Sequence, residues 1–292
     1  MPEVRLVRAD AVLECVVNIS EGRDQDLVAS IARSGGDFLL DVHVDGDHHR
    51  AVLTLGGPGP GLEEAVRAVA RTAVERIDLR RHEGVHPRLG VLDVVPFVPL
   101  GPGGSPVGPG ADLTPALEAR DRFAAWAGDE LALPCFLYGP ERSLPEVRRE
   151  AFGRLSPDTG PAEPRPRAGA CAVGARSALV AYNLWLTTPD LTVARAVAAV
   201  VRGPAVRALG LAVAGRTQVS CNLVDPFVVG PAPVYEAVAR VAREAGTVVA
   251  RAELVGLAPR EVLDAVAEER WHSLDLDPQR TVEARLATPG FS

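Results

Sequence analysis

The chain of 292 residues carries 47% hydrophobic and 24% charged residues, the balance of a globular protein of about two domains. This composition excludes a disordered, collagen-like or disulfide-scaffold protein. A net charge of −7 argues against a broad nucleic-acid-binding or membrane-binding surface, so neither partner is expected. All 31 basic residues are arginine, which removes lysine-based Schiff-base, pyridoxal-phosphate and P-loop chemistry.

The cysteines and the N-terminal residues favour a reducing cytoplasm. Cys15, Cys135, Cys171 and Cys221 are far apart in the sequence, and each lies in or beside an apolar stretch typical of a buried thiol. The first 15 residues contain acids where a signal peptide has an apolar run. The most apolar stretch, at 192–214, is interrupted by arginines, which argues against a transmembrane helix.

The first half of the chain alternates strand and helix patterns. Apolar, valine-rich runs predict strands at residues 11–19, 38–44, 51–55 and 91–99. Apolar residues at helical spacing predict helices at 24–34 and from about residue 60 to residue 77. The resulting order, β-α-β-β-α-β, is that of the ferredoxin-like split unit.

A connecting region separates the two halves. Residues 101–110 are rich in glycine and proline and predict turns, followed by a helix at 115–131. A short strand at 135–138 and a helix at 145–152 come next. Residues 155–169 show no periodicity and are predicted to form a loop.

The second half repeats the order of the first. Predicted strands lie at 179–186, 208–214, 218–224 and 247–254, and predicted helices at 191–201, 234–244 and 259–268. The tail after Trp271 is expected to be peripheral. We therefore predict an α/β (α+β) fold of two similar βαββαβ subdomains, 1–177 and 178–292, with their sheets and helices around a central cleft.

Histidine is concentrated in the first half. Five of the six histidines lie between residues 43 and 86, in the segments DVHVDGDHHR (41–50) and RHEGVHPR (81–88). Histidine mixed with aspartate and arginine can bind a charged small molecule and move protons near neutral pH. For any single histidine a solvated polar turn is the alternative, but the clustering favours a site.

Other kinds of site have weaker support. His82 and His86 have the i, i+4 spacing of a metal-binding helix, yet Gly84 lies between them, Pro87 follows, and no HExxH motif is present. No metal is therefore expected, and a metal-dependent hydrolase is the weakest alternative. The glycine runs at 56–61 and 101–110 lack the G-x-G-x-x-G pattern and predict turns and a helix start.

Three segments carry a resemblance to a known family. ECVVNISEGR (14–23), DVHVDGDHHRAVLTLGG (41–57) and above all RHEGVHPRLGVLDVVPFVP (81–99) resemble the formiminotransferase family. The resemblance continues through QVSCNLVDP (218–226) and ELVGLAP (253–259). It implies a homodimeric enzyme that transfers the formimino group of N-formimino-L-glutamate to tetrahydrofolate, in histidine degradation. Tetrahydrofolate is then a co-substrate, and no tightly bound cofactor is implied.

The resemblance also implies site residues. It places the family's catalytic histidine on His86 and its folate-binding loop at about 160–169, with Gly160, Pro161, Arg165, Arg167 and Gly169 as the folate-binding residues. A cationic amidinium favours nearby carboxylates, and substrate carboxylates favour arginine. The predicted substrate-binding residues all lie in the two histidine-bearing segments: Asp41, His43, Asp47, His49, Arg50 and Arg88.

The sequence departs from the family pattern at several of these positions. His43 stands where the animal enzymes have the second aspartate of an Asp-x-Asp pair, and His49 where the family usually has asparagine. The predicted folate loop has no aromatic residue, although aromatic faces often hold a pterin-like ring. These changes leave an alternative open, a non-catalytic paralogue of the same fold that binds a folate or an acidic metabolite.

Overall fold

The computed structural model describes residues 11–84 and 88–288. Its first four strands are β1 (Val12–Ile19), β2 (Leu39–Asp45), β3 (Arg50–Pro58) and β4 (Leu92–Pro99). Two helices, α1 (Gln25–Arg33) and α2 (Gly59–Arg76), complete the predicted β-α-β-β-α-β order. The four strands pair antiparallel in the order β2-β3-β1-β4, which is the ferredoxin-like arrangement.

The connecting region enlarges this sheet to six strands. It contains α3 (Thr114–Glu130), β5 (Cys135–Tyr138), α4 (Leu144–Glu150) and β6 (Cys171–Ala175). β6 pairs parallel to β4, and β5 pairs parallel to β6, so the full order is β2-β3-β1-β4-β6-β5. The sequence analysis missed β6 because its residues, CAVGA, are short and rich in alanine and glycine, which are uncommon in strands.

The second half forms a four-stranded antiparallel sheet. Its elements are β7 (Val180–Leu186), α5 (Leu191–Val201), β8 (Val206–Val213), β9 (Arg216–Leu223), α6 (Pro231–Glu244) and β10 (Val249–Val255). The strand order β10-β7-β9-β8 is equivalent to that of the first four strands. The predicted α/β fold with two ferredoxin-like subdomains is therefore confirmed.

Each subdomain buries its own apolar core between sheet and helices. In the first, Leu62, Val66 and Val69 of α2 pack with alternate residues of β1. In the second, Ala194 and Val197 of α5 pack on the second sheet. Both helices that follow a first strand begin at an aspartate whose side chain accepts a backbone hydrogen bond, Asp24 before α1 and Asp190 before α5.

The expectation of a peripheral tail was wrong. Two short helices, α7 (Arg260–Asp264) and α8 (Val282–Leu286), lie in this region, and the helix predicted at 259–268 ends at Asp264. Leu274 and Val282 are buried, and Leu286 packs with Leu40 and Leu100 from the first subdomain. Charged residues separate the apolar residues of the tail, so the sequence has no periodic pattern that predicts their burial.

All four cysteines are free and buried, and burial raises the pKa of each thiol. Within residues 11–84 and 88–288, no helix is long and apolar enough to cross a membrane.

Candidate active site

The histidine-bearing segment 41–50 projects a row of polar side chains from β2. Side chains alternate between the faces of a strand, and Val42 packs on the apolar core of the first subdomain. Asp41, His43 and Asp45 therefore share the opposite face. His43 pairs in register with Val52 of β3, and Val52 pairs with Asn18 of β1, which extends this face across the sheet.

The turn between β2 and β3 is organised by Asp45. Its Oδ1 accepts hydrogen bonds from the backbone nitrogens of Asp47 at 2.9 Å and His48 at 2.8 Å, and its Oδ2 lies 2.5 Å from His48 Nδ1. Burial raises the pKa of the Asp45 carboxyl, but the hydrogen bonds from His48 outweigh it and lower the pKa to about 2. The turn thus holds a carboxylate at neutral pH, and Asp47 lies exposed at its tip.

Glu21, just after β1, anchors the next residue of the turn. Its Oε1 accepts hydrogen bonds from the backbone nitrogens of Gly22, Arg23 and Asp24, at 2.8–3.0 Å. The same oxygen lies 3.0 Å from His49 Nε2. Burial raises the pKa of Glu21, but these donors lower it overall. Because a carboxylate oxygen only accepts, His49 Nε2 carries the proton.

His82 is held by contacts on both ring nitrogens. Its Nε2 donates to the His49 carbonyl oxygen at 2.8 Å, and its Nδ1 accepts from Arg88 Nη1. The rings of His49 and His82 stack with their centroids 3.9 Å apart. Since both nitrogens of His82 are engaged, this ring is not free to bind a metal. Over the described parts of the chain, no group of three or more His, Cys, Asp or Glu side chains could hold one.

Three arginines, Arg50, Arg88 and Arg148, interact with the buried carboxylate of Asp93 on β4. Asp93, 1% exposed, accepts hydrogen bonds from the Leu89 backbone nitrogen at 2.7 Å and from Arg148 Nη2 at 2.6 Å. Burial lowers the pKa of Arg50 and of Arg88, while the charge of Asp93 opposes this in both. The region is rich in positive charge, as a site for substrate carboxylates requires.

A polar cavity of about 330 Å³ lies where β2 meets β10. The first subdomain contributes Asp41 and His43 to its lining. The second contributes four charged side chains: Arg251, Glu253, Asp275 and Arg280. Burial raises the pKa of Asp41, and the charge of Arg285 opposes this shift. Burial lowers the pKa of His43, and the charge of Glu253 opposes that shift. The cavity therefore presents charges of both signs.

The second subdomain holds its cavity charges firmly. Glu253 Oε2 accepts hydrogen bonds from Trp185 Nε1 at 2.9 Å and Asn183 Nδ2 at 3.2 Å. Arg251 stacks over the Trp185 ring, 4.6 Å from its centroid. Arg280 donates to Asp275 at 3.0 Å. These partners fix the lining before any ligand arrives.

In the part of the chain that the structure describes, the predicted folate loop contacts the histidine region at its 165–169 end. Arg165 and Gly169 exchange backbone hydrogen bonds, and Gly169 pairs with Gly90. Arg167 lies 3.4 Å from Asp78, beside the segment that leads to His82. At the other end of the loop, Gly160 packs against Leu133 and Gly128 near the end of α3, and Pro161 is exposed.

His86, the predicted catalytic residue, lies outside the described residues. The structure describes its neighbours Gly84 and Arg88, which are joined by a hydrogen bond of 2.8 Å from Arg88 Nη2 to the Gly84 carbonyl oxygen. Arg50 pairs in register with Asp45, so its side chain lies on the same face of the sheet as those of Asp41 and His43.

Sequence reasoning missed several residues of this region. They lie outside the two histidine-bearing segments 41–50 and 81–88: Asp93, Arg148, Arg251, Glu253, Asp275 and Arg280. Only Asp93, a lone acid in a strand of apolar residues, carried a signal in the sequence, because such an acid needs a partner.

Comparison with known proteins gives a consistent result. The family model of the formiminotransferase domain, N-terminal subdomain, matches residues 12–176. The glutamate formimidoyltransferase of Streptococcus pyogenes serotype M1 is 34% identical over 299 residues, covering 93% of this chain and 97% of that protein. That of Thermoplasma acidophilum is 33% identical over 307 residues, covering 94% and 97%. The formimidoyltransferase-cyclodeaminase of Sus scrofa is 33% identical over 288 residues, covering 88% of this chain and 52% of that protein.

Proposed function

Because the chain belongs to the formiminotransferase family and is therefore a transferase, we propose that it is a glutamate formimidoyltransferase. It would move the formimino group of N-formimino-L-glutamate to tetrahydrofolate, in histidine degradation and one-carbon metabolism. The observation that carries this proposal is the similarity to two proteins of that name over nearly their whole length. The cluster of histidine, carboxylate and arginine on the first subdomain supports it.

The reaction needs one group that both accepts and donates a proton. The N5 nitrogen of tetrahydrofolate attacks the amidine carbon, and a tetrahedral intermediate forms. The N5 proton passes to His86, and His86 then protonates the departing glutamate nitrogen as its bond to carbon breaks. A histidine with a pKa near neutrality suits both steps. The proton count balances without any oxidant or reductant.

The remaining site residues are proposed to bind the donor. Asp41 and Glu253 in the cavity supply negative charge for the cationic amidinium. Arg50, with Arg88 and Arg148 close to the same carboxylate, supplies positive charge for the two substrate carboxylates. His43 lies between Asp41 and Asp45 and borders the cavity, as a donor-binding residue should. Asp47 and His49 complete the proposed set.

We also propose a folate-binding segment, an oligomeric state and a cellular compartment. The segment 160–169 would bind tetrahydrofolate as co-substrate, chiefly through Arg165, Arg167 and Gly169 at the end nearest the histidines. We propose a homodimer in the cytoplasm. Four buried free thiols are compatible with a reducing compartment.

A second function is favoured by His43. A histidine in place of a carboxylate weakens the negative charge available to an amidinium, so the protein would bind a folate or acidic metabolite without transfer. This alternative predicts ligand binding with no product.

One experiment tests both functions. Purified protein is mixed with N-formimino-L-glutamate and tetrahydrofolate, and 5-formiminotetrahydrofolate is measured by mass spectrometry. The proposal expects product from the wild type and at least about a hundredfold less from His86→Ala. Folate binding without product would establish the alternative, and full turnover by His86→Ala would overturn the assignment of the catalytic histidine.

A further inference from the structure

Four residues from three separate segments form a continuous chain of contacts, which includes described residues on both sides of His86 in the sequence. Glu21 follows β1, His49 lies in the turn before β3, and His82 and Arg88 lie on either side of His86 in sequence. Glu21 accepts from His49 Nε2, the His49 carbonyl accepts from His82 Nε2, and His82 Nδ1 accepts from Arg88. We call these four residues the histidine clamp.

The contacts of the clamp fix the protonation state of His82. A carbonyl oxygen only accepts, so His82 Nε2 must carry a proton. A guanidinium only donates, so His82 Nδ1 must be bare. His82 is therefore the neutral Nε2–H tautomer. Burial lowers the pKa of His82; the hydrogen bond to the His49 carbonyl raises it, but with the charges of Arg88 and His49 the pKa stays below its usual value, which agrees with the neutral form.

The backbone of the clamp is equally constrained. His49 adopts a left-handed conformation with φ of 53°, which turns its carbonyl toward His82. Arg88 Nη2 donates to the Gly84 carbonyl oxygen at 2.8 Å. A Cβ at position 84 would lie 2.7 Å from the His48 carbonyl oxygen and 2.7 Å from His82 Cε1. Only glycine fits between the turn and the His82 ring.

We propose that Glu21, His49, His82 and Arg88 are positioning residues: they fix the described residues before and after His86, up to Gly84 and from Arg88, and thereby support proton transfer by His86. This inference rests on the proposed function, but its structural part does not. Side chains that orient a reacting group act on turnover more than on binding, and a small displacement can cost about a hundredfold in rate. Besides the donor-binding roles proposed above, His49 and Arg88 thus also act through the clamp.

Three variants of His82 separate its contacts. His82→Phe keeps a ring to stack on His49 and loses both hydrogen bonds. His82→Gln keeps a donor for the His49 carbonyl, and His82→Asn keeps an acceptor near the position of Nδ1. His272→Gln, at an exposed histidine far along the chain, is the matched control.

The kinetic test compares kcat and KM for these variants. We expect His82→Phe to lower kcat about 10- to 100-fold with KM within about twofold, and His82→Gln or His82→Asn to recover at least about fivefold of that loss. His272→Gln should match the wild type. A His82→Phe enzyme with unchanged kcat, or one changed only in KM, would overturn the proposal.

A spectroscopic test of the wild-type protein does not depend on turnover. The long-range 1H–15N spectrum of the wild-type histidines at pH 7.5 should show the neutral Nε2–H tautomer for His82, assigned by the signal that His82→Gln removes. An Nδ1–H tautomer or an imidazolium would overturn the clamp. If the wild type gives that tautomer but no formimino transfer, the proposed function fails while the clamp stands.

Discussion

The imidazole rings of His49 and His82 stack with their centroids 3.9 Å apart and an interplanar angle of 21°. The two residues are 33 positions apart in sequence, and the same pair is joined by a hydrogen bond from the His82 ring to the His49 backbone. The turn after β2 is thereby attached to the segment that carries His86.

Gly84 provides a test of this attachment that replaces none of the four clamp residues. We expect Gly84→Ala to lower kcat about 10- to 100-fold, because its Cβ would displace His82 or the His48 carbonyl. The measurement is steady-state kinetics with both substrates. Gly203→Ala is the control, since a Cβ there meets nothing within 4 Å. Equal kcat for the two variants would contradict the prediction.

Arg251 tests whether the cavity between the subdomains takes the donor. Arg251→Gln removes a positive charge from the lining but leaves Glu253 bonded to Trp185 and Asn183. Arg251 lies 3.8 Å from Glu253, whose charge is proposed to attract the cationic amidinium, so the loss of Arg251 removes a repulsion. About 1 kcal/mol corresponds to about fivefold in affinity, so the KM for the formimino donor should fall about fivefold. The KM for tetrahydrofolate should stay within twofold.

Arg243→Gln, an exposed residue on α6, is the control for Arg251→Gln. A donor KM that does not respond to Arg251→Gln would place the donor elsewhere.

His43 makes donor binding depend on pH. Burial lowers its pKa from the usual 6.5, although Glu253, Asp45 and Asp41 oppose this and Arg280 adds to it. At pH 7.5 His43 is neutral, and as the pH falls below 6.5 it gains a positive charge that repels an amidinium. The donor KM of the wild type should therefore rise between pH 7.5 and pH 5.5.

His43→Asn should reduce that rise, because asparagine does not titrate. The measurement is the donor KM at pH 7.5 and pH 5.5 for the wild type and His43→Asn, with His272→Asn as the control. Identical profiles for His43→Asn and the wild type would exclude His43 as the titrating group.

The fold was largely predictable because each half of the chain repeats the same alternation of short strands and amphipathic helices. The failures have physical causes. β6 is made of small residues and exists because β4 and β5 flank it, and the tail is buried by packing against β2 that no local pattern encodes. The boundary at residues 177 and 178 stays a prediction.

The candidate site was predictable only where its residues are neighbours in sequence. The cluster at 41–50 was visible from histidine and aspartate spacing alone. Arg148 and Asp93 are 55 positions apart in the sequence, and Glu253 and Asn183 are 70 apart. Neither pairing can therefore be predicted from the local sequence. The roles of the predicted site residues, His86 above all, stay predictions.

Glu14 of β1 makes the stability of the protein depend on pH. Burial raises the pKa of its carboxyl from 4.5 to about 7, with Arg176 lowering it and Glu283 raising it. Between these two pH values the folded protein holds the proton more tightly than the unfolded chain does. Stability therefore falls as the pH rises through this window, and above pH 7 the charged form costs on the order of 3 kcal/mol.

Glu14→Gln removes this cost because the amide has nearly the same shape and no charge. Urea unfolding at pH 8 should show the variant more stable than the wild type by up to about 3 kcal/mol, and at pH 5 the two should agree within about 1 kcal/mol. Glu269→Gln, at an exposed glutamate, should change stability little at either pH. If the wild type and Glu14→Gln lose stability in parallel from pH 5 to pH 8, the buried carboxyl is not the group that titrates.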